Sequence, residues 1–526
     1  MQLNEIQELQ NELSLEKNLD IPIKLILEQI AIFKKGIPSL KLIKPCIISD
    51  GVKIFSDSQI DDYIMKFKSA LDDGRVMKFV PASGAASRMF QKQLAAAVKA
   101  DDSDFNKISE KAASGDEDCK AALEFFYNIK HFAFYKELKK MLSKEGKNLE
   151  DLIKNKNILD LIKCTSDSNG LNYANLPKGS ILFHSYPEGP RTAFEEHLIE
   201  AMNYSAGKNK TVKVHFTISP EHEVEVKKLF SKLISKYEKQ GWKFDVGFSF
   251  QSPETNTVSV TMDNKIFRDT NGKILFRPGG HGALLVNLNR LESEIILIKN
   301  IDNIVPDHLK KETYRFKKIL GGYLIHLRNK IFELLLKLEK DHISESINDE
   351  TVALIKSEFG IDLSSKLKAK SLIEKKKYLF DILNRPIRVC GMVKREGHPG
   401  GSPFWVEDEP GEITKQIVET AQVNLSDRTQ AEIFDQATHF NPVDIACSIK
   451  DYKGNHFDLQ KFVNPNTGLI ATKSKNGKEL KALELPGLWN GGMYHWLTVF
   501  VEVPKITFNP VKEINDLLKP EHQPKK

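Results

Sequence analysis

The hydrophobic pattern of this 526-residue chain changes texture near position 76. Before it, apolar positions recur at three- and four-residue spacing. Ile6, Leu9 and Leu13 share one helical face and Ile23, Ile26, Leu27 and Ile30 another, until "KKGIPSL" breaks the pattern. Residues 1–75 therefore read as a mostly helical N-terminal region. From 77 onward short β-type runs take over: MKFVP (77–81), SILFHSY (180–186), VKVHFTIS (212–219), FDVGFSFQ (244–251), KILFRP (273–278) and IILIKNID (295–302). Helical patterns such as "TAFEEHLIEAMNY" and "EHEVEVKKLFSKLISKYEKQ" separate them. Strand alternating with helix predicts crossover units and an α/β fold with a mixed, mostly parallel sheet covered on both faces. A helical insertion is expected at about 92–176, with Leu123, Phe126, Tyr127 and Ile129 as its stripe. A long helix is expected over 308–340, from the spacing of Ile319, Tyr323, Leu327, Ile331, Leu335 and Leu338. Residues 386–526 form a further region rich in Gly, Pro and β-type runs, so the chain divides into 1–75, 76–385 and 386–526.

Composition narrows the class without naming a function. The chain is 40% hydrophobic and 28% charged and has no low-complexity tract. No run approaches the ~20 apolar residues that span a bilayer, so no membrane partner is expected. The polar start "MQLNEIQELQNELSLEKN" lacks the apolar core of a secretory signal. Five scattered cysteines form no CxxC pair, which points to reduced thiols in a cytoplasmic protein and against a zinc site. The net charge of +6 comes from 77 basic and 71 acidic residues that are interleaved, as in "EVEVKKLFSKLISKYEKQ". That pattern is a solvated surface, not a nucleic-acid patch.

The first candidate chemistry sits where the strand at 77–81 empties into "PASGAASRM". A loop of small residues before a helix exposes backbone N–H groups beside a helix N-terminus, which suits an anion and phosphate above all. Ser83, Gly84, Ala85, Ala86 and Ser87 supply amides and two hydroxyls, and Arg88 adds a fixed positive charge. Small residues here equally let a helix pack close to its strand. The loop is not a Walker motif, because no GK[ST] follows, and it does not spell GxGxxG.

The same string resembles the nucleotide-binding signature of the sugar nucleotidyltransferases, L-A-A-G-x-G-T-R-M. Gly84 falls on its first glycine, Ser87 on its Thr, Arg88 on its Arg and Met89 on its Met. It departs at Ala86, which replaces the second glycine, and at Ala85. Further segments resemble the superfamily in order. "LPKGSILF" places Lys178 on its phosphate-contacting lysine, and "FSFQ" places Gln251 on the glutamine that reads the nucleobase. "RPGGHGALLVNL" places Gly279, Gly280, His281 and Gly282 on the turn that lies close to base and ribose in UDP-sugar pyrophosphorylases. "IILIKNIDNI" carries Asp302 at the strand end where the superfamily holds a metal ion.

The resemblance covers about 77–305 and is similar in kind to the large UDP-sugar pyrophosphorylases. It implies a bacterial branch of that superfamily, built on a domain of unknown function. The fold it implies is the Rossmann-like nucleotide-diphospho-sugar transferase type. The activity it implies is Mg²⁺-dependent (or Mn²⁺-dependent) transfer between a nucleoside triphosphate and a sugar 1-phosphate, uridylyltransferase-like, with pyrophosphate released. Arg88 and Lys178 then carry catalysis.

In the last third, "VCGMVKREGHPGGSPFWVED" offers Lys394, Arg395, Glu396 and His398 with aromatic Phe404 and Trp405, suited to a sugar phosphate. "KQIVETAQV" resembles the strand that brings a sugar-contacting Glu, here Glu419. The second metal ligand stays open between Asn490, which fits N-x-G-x-Y/F, and Asp444. Two other readings stay open as well: a nucleotide-sugar-binding protein without transferase activity, motivated by Ala85 and Ala86, and a glycosyltransferase of the same fold.

Overall fold

The computed structural model describes residues 3–16, 19–100, 105–340, 344–395, 400–408 and 411–525. The chain forms two compact units. The first comprises 1–70, 251–298 and 318–503, and the second 71–250, 299–317 and 504–526. They do not follow the linear division into 1–75, 76–385 and 386–526, because the chain passes between the units several times and each is assembled from three stretches.

In the second unit, strands Val76–Pro81, Thr211–Thr217 and Lys243–Ser249 pair in parallel, with Phe79 opposite His215 and His215 opposite Gly247. The strands alternate with helices Ala193–Tyr204 and Glu223–Glu238 as the pattern predicts. Thr192 caps the first of these, its hydroxyl accepting from the Glu195 amide at 3.2 Å. The insertion folds as helices, among them Gln91–Lys99, Glu117–Tyr127 and Tyr135–Lys144. Val80, Ala86, Phe90, Phe126, Phe183, Phe216 and Phe230 share one core with residues from the C-terminal stretch, Val511 and Ile514.

Four lysines lie in this unit's interior, Lys78, Lys299, Lys310 and Lys317. Lys78 and Lys299, 0% and 1% exposed, both donate to the fully buried Glu200, at 2.9 and 2.7 Å. The charges are placed together because none could be buried singly.

In the first unit, strand Ile387–Lys394 lies parallel to Leu497–Glu502 and antiparallel to Asp444–Ser448. Leu497–Glu502 also runs parallel to Gly51–Lys53. Strand Ile295–Lys299 is buried along its whole length, as its run of branched aliphatics predicts. A separate antiparallel sheet joins Phe276–Arg277, Thr257–Val260, Lys478–Glu484 and Leu469–Lys475. Helix Lys310–Glu339 is continuous, matching the 308–340 expectation.

Three expectations are corrected. Residues 41–53, read with the helical N-terminal region, are strands Lys41–Pro45, Ile47–Ile48 and Gly51–Lys53. Lys41–Pro45 and Gly51–Lys53 take partners some 360 to 450 residues away along the chain, beyond the reach of local periodicity. The run at 180–186 forms a short hairpin, Leu182–His184 with Arg191–Thr192, and not a strand of the parallel set. The 273–278 run belongs to the separate antiparallel sheet.

Candidate functional site

In the second unit, strand Val76–Pro81 ends in a pinned turn. The Ala82 amide donates to the Thr217 carbonyl and hydroxyl, both at 3.1 Å, and the Ser219 hydroxyl donates to the Ser83 carbonyl at 2.8 Å. Ala86, Met89 and Phe90 then turn into the core, which leaves Gly84, Ala85, Ser87 and Arg88 exposed. Neither Ala85 nor Ala86 adopts a positive φ, so alanine in place of the signature's second glycine carries no left-handed strain. Among the described residues nothing accepts from the Gly84 or Ala85 amide. A side chain on Gly84 would meet only open space.

The loop is stitched to the segment that carries Lys178. The Ala86 amide donates to the Leu176 carbonyl at 3.0 Å and the Lys178 amide to the Gly84 carbonyl at 3.2 Å. Lys178 Nζ then reaches Asp302 Oδ2 at 3.1 Å and the Val511 carbonyl at 2.9 Å. Lys512 Nζ reaches the same carboxylate oxygen, also at 3.1 Å. The structure therefore brings the 83–88 loop, Lys178 and Asp302 together in one place. Sequence reasoning missed Lys512, whose place in an unpatterned C-terminal stretch carries no signal.

The electrostatics follow from burial. The Asp302 side chain is 10% exposed and that of Lys178 14%. Burial alone would raise the Asp302 pKa, but the Lys178 and Lys512 ammoniums outweigh it and hold the carboxyl below its usual value. Burial lowers the Lys178 pKa despite the pull of Asp302.

A divalent cation fits this carboxylate in part. Asp302 Oδ1 is a buried oxygen with no hydrogen-bond partner, the hard donor Mg²⁺ takes, whereas Oδ2 is held by two ammoniums. No group of three or more His, Cys, Asp or Glu side chains among the described residues could hold a metal. A Mg²⁺ bound here would take one protein carboxylate, with phosphate oxygens and waters filling the rest of its shell.

The first unit holds the remaining candidates. Gly280 lies at φ +76°, and a Cβ on Gly282 would come 2.2 Å from the Pro486 carbonyl oxygen, so the turn requires glycine at both positions. His281 stacks on Trp489 at 4.1 Å and 17°, and its Nδ1 accepts from the Leu488 amide at 3.1 Å. That bond leaves the proton on Nε2, which faces Glu419 Oε1 at 3.7 Å. Burial holds the imidazole below its usual range and so neutral. Asn490 Nδ2 donates to Glu419 Oε1 at 2.9 Å, while its Oδ1 accepts from the Gly491 amide at 2.8 Å. Burial, aided by Glu484, raises the Glu419 pKa. His281, Glu419 and Asn490 thus form one polar cluster, in which His281 lies on the Trp489 ring. A Cβ at Gly487 would strike Asn490 Oδ1 and His281 Cε1, each at 2.2 Å. Trp489, Glu484 and Gly487 were not singled out from sequence as site residues.

Gln251 follows strand Lys243–Ser249, and its Nε2 is buried without a hydrogen-bond partner. Asp444 opens strand Asp444–Ser448 and is fully buried. Lys394 ends strand Ile387–Lys394, 3.9 Å from Glu502. Arg395 donates to the Phe434 carbonyl at 3.3 Å and lies over the Phe434 ring. Glu396 and His398 lie outside the described residues. Phe404 is core, and Trp405 lines a cavity with Lys415. No helix among the described residues is long and apolar enough to cross a membrane.

The fold and this loop define a mixed α/β protein with a mainly parallel sheet and a small-residue turn between strand and helix. The chain belongs to the family described as a domain of unknown function, DUF4301, whose model matches residues 9–523. No curated protein matches it. Among solved structures it is similar to the uridine diphosphate N-acetylglucosamine pyrophosphorylase of Trypanosoma brucei, at 13% identity and a TM-score of 0.47, over 94% of this chain and 74% of that one. It is similar too to the UDP-glucose pyrophosphorylase of Leishmania major, at 11% identity and 0.43, over 98% and 81%. A putative UDP-N-acetylglucosamine pyrophosphorylase of Entamoeba histolytica matches at 12% identity and 0.41, over 88% and 82%.

Proposed function

We propose that this protein is a nucleotidyltransferase that joins a nucleoside triphosphate to a sugar 1-phosphate and releases pyrophosphate. The observation that carries the proposal is the ladder tying the 83–88 loop to Lys178, and Lys178 to Asp302. It gathers exposed amides, a guanidinium, a buried ammonium and a carboxylate with one open oxygen, a donor set suited to a polyphosphate. An oxygen of the sugar phosphate attacks the α-phosphorus in line, and the bond from that phosphorus to the oxygen bridging the α- and β-phosphates breaks. No side-chain nucleophile is required, so the chain's task is positioning and charge neutralisation.

The loop amides and Arg88 hold the β- and γ-phosphates, and Lys178 bridges the α-phosphate and the sugar phosphate. Asp302 is the residue that would hold Mg²⁺ (or Mn²⁺), which when bound offsets negative charge on the phosphate oxygens. By motif correspondence alone, Gln251 and Gly279–Gly282 take the nucleobase and ribose, and Lys394, Arg395 and Glu419 the sugar phosphate.

One observation favours a second reading, a nucleotide-sugar-binding protein without transfer. Asp302 Oδ2 is already neutralised by two lysines, so this carboxylate is stable without a metal. The deciding experiment measures pyrophosphate release over a panel of nucleoside triphosphates and sugar 1-phosphates. At least one pair should react, lose activity with a chelator and regain it with Mg²⁺ or Mn²⁺. No release from any pair, with nucleotide sugar still bound in calorimetry, would establish the second reading instead.

A further inference from the structure

The first unit contains a cavity of about 540 Å³ lined by none of the residues that the proposed reaction uses. One wall is aromatic. Phe55, Tyr63 and Tyr323 cluster with centroids 4.8 to 5.2 Å apart, and Trp405 also lines the space. Four lysines face it together with Asp50 and Glu358. Both acids are already paired, Asp50 with Lys44 at 2.7 Å and Glu358 with Lys53 at 2.8 Å. Lys356 pairs with Asp362 at 3.1 Å. That leaves Lys330 and Lys415 without a carboxylate partner among the described residues.

Lys415 is the informative one. It is 5% exposed, and its Nζ donates to a peptide carbonyl, that of Glu358, at 3.0 Å. Burial lowers its pKa to about 8, so at neutral pH it is largely a buried cation, over the Trp405 ring at 5.8 Å and with no carboxylate at ion-pair distance among the described residues, a costly arrangement that an anion would relieve. The Trp405 Nε1 is likewise buried without a hydrogen-bond partner.

The backbone here is also unusual. The carbonyls of Ser357 and Glu358 that take up Lys53 and Lys415 belong to a π-helical turn, Ile355–Phe359, a rare element that recurs at functional sites. It ends at Gly360, φ +72°, where a Cβ would lie 2.2 Å from the Trp405 ring. The turn therefore seats the indole against the chain.

We propose that this cavity is a second ligand site, built for a small anion that carries a planar ring, such as an aryl or heteroaryl phosphate. The aromatic wall takes the ring, and Lys415 and Lys330 take the charge. Phenyl phosphate, inorganic phosphate and phenol serve as probes in titration calorimetry on the full chain. Phenyl phosphate should bind at least tenfold tighter than either fragment. Lys415→Gln should weaken it at least tenfold. Because Lys415 is buried, the exposed Lys330→Gln is the second variant and should weaken it at least threefold. Arg88→Ala separates this site from the phosphate loop and should leave phenyl phosphate affinity unchanged. Absent binding to the wild type, affinity unmoved by Lys330→Gln, or affinity lost in Arg88→Ala would each overturn the proposal.

Discussion

Asp302→Asn tests the proposed reaction where its chemistry and the architecture meet. The substitution keeps shape and removes charge. Lys512 is 61% exposed, so its ammonium can turn to water, and losing that pair costs about 0–1 kcal/mol. Lys178 cannot, because its side chain is 14% exposed. It keeps only the Val511 carbonyl, and the loss of a charge-assisted bond there costs about 1.5–3 kcal/mol. The expected destabilisation is therefore about 1.5–4 kcal/mol, read from urea denaturation at pH 7.

The pH dependence has a definite sign. The Asp302 carboxyl is held below its ordinary value, so its stabilisation is complete above the unfolded carboxyl pKa of about 3.9 and is lost as pH falls through the folded value. The gap between wild type and variant should close in acid. Pyrophosphate release at pH 7 should fall by about three orders of magnitude or more, the scale of about 4 kcal/mol in the barrier. Full turnover in the folded variant would refute the metal role of Asp302. A stability change under about 0.5 kcal/mol, the range of an ordinary surface substitution, would refute the buried pairing.

Arg88→Ala should weaken triphosphate binding by about 1.5–3 kcal/mol in calorimetry while the melting temperature holds, since Arg88 is exposed; unaltered affinity removes its phosphate role. Gly280→Val forces a β-branched residue to φ +76°, a strain of about 1–3 kcal/mol, and should raise the nucleotide KM. Arg395→Ala should move the sugar-phosphate constant alone, and a shift confined to the nucleotide constant would sink its assignment. Glu200→Gln leaves Lys78 and Lys299 buried without a counter-charge and should cost about 3–5 kcal/mol; a thermal melt within a degree of wild type would contradict that buried cluster.

Local periodicity was enough for much of the architecture. Strands Val76–Pro81, Thr211–Thr217, Lys243–Ser249 and Ile295–Lys299, the helical insertion and helix Lys310–Glu339 all follow from spacings within a dozen residues. So does the small-residue loop, whose composition fits an open turn between strand and helix. Folding had to decide whatever depends on a distant partner. Lys512 meets Asp302 across 210 positions, Glu419 meets Asn490 across 71, and strand Gly51–Lys53 takes its partner from Leu497–Glu502. No sequence pattern encodes such pairs, because they form where separately stable elements bring side chains together. Nor could sequence show that Ala86 escapes the strain a glycine position suggests, since its φ is a property of the folded backbone. Lys78 and Lys415 look like polar positions in ordinary strands. Only the packed structure shows one neutralised by Glu200 and the other facing a cavity, because burial and counter-charge are properties of the assembled core.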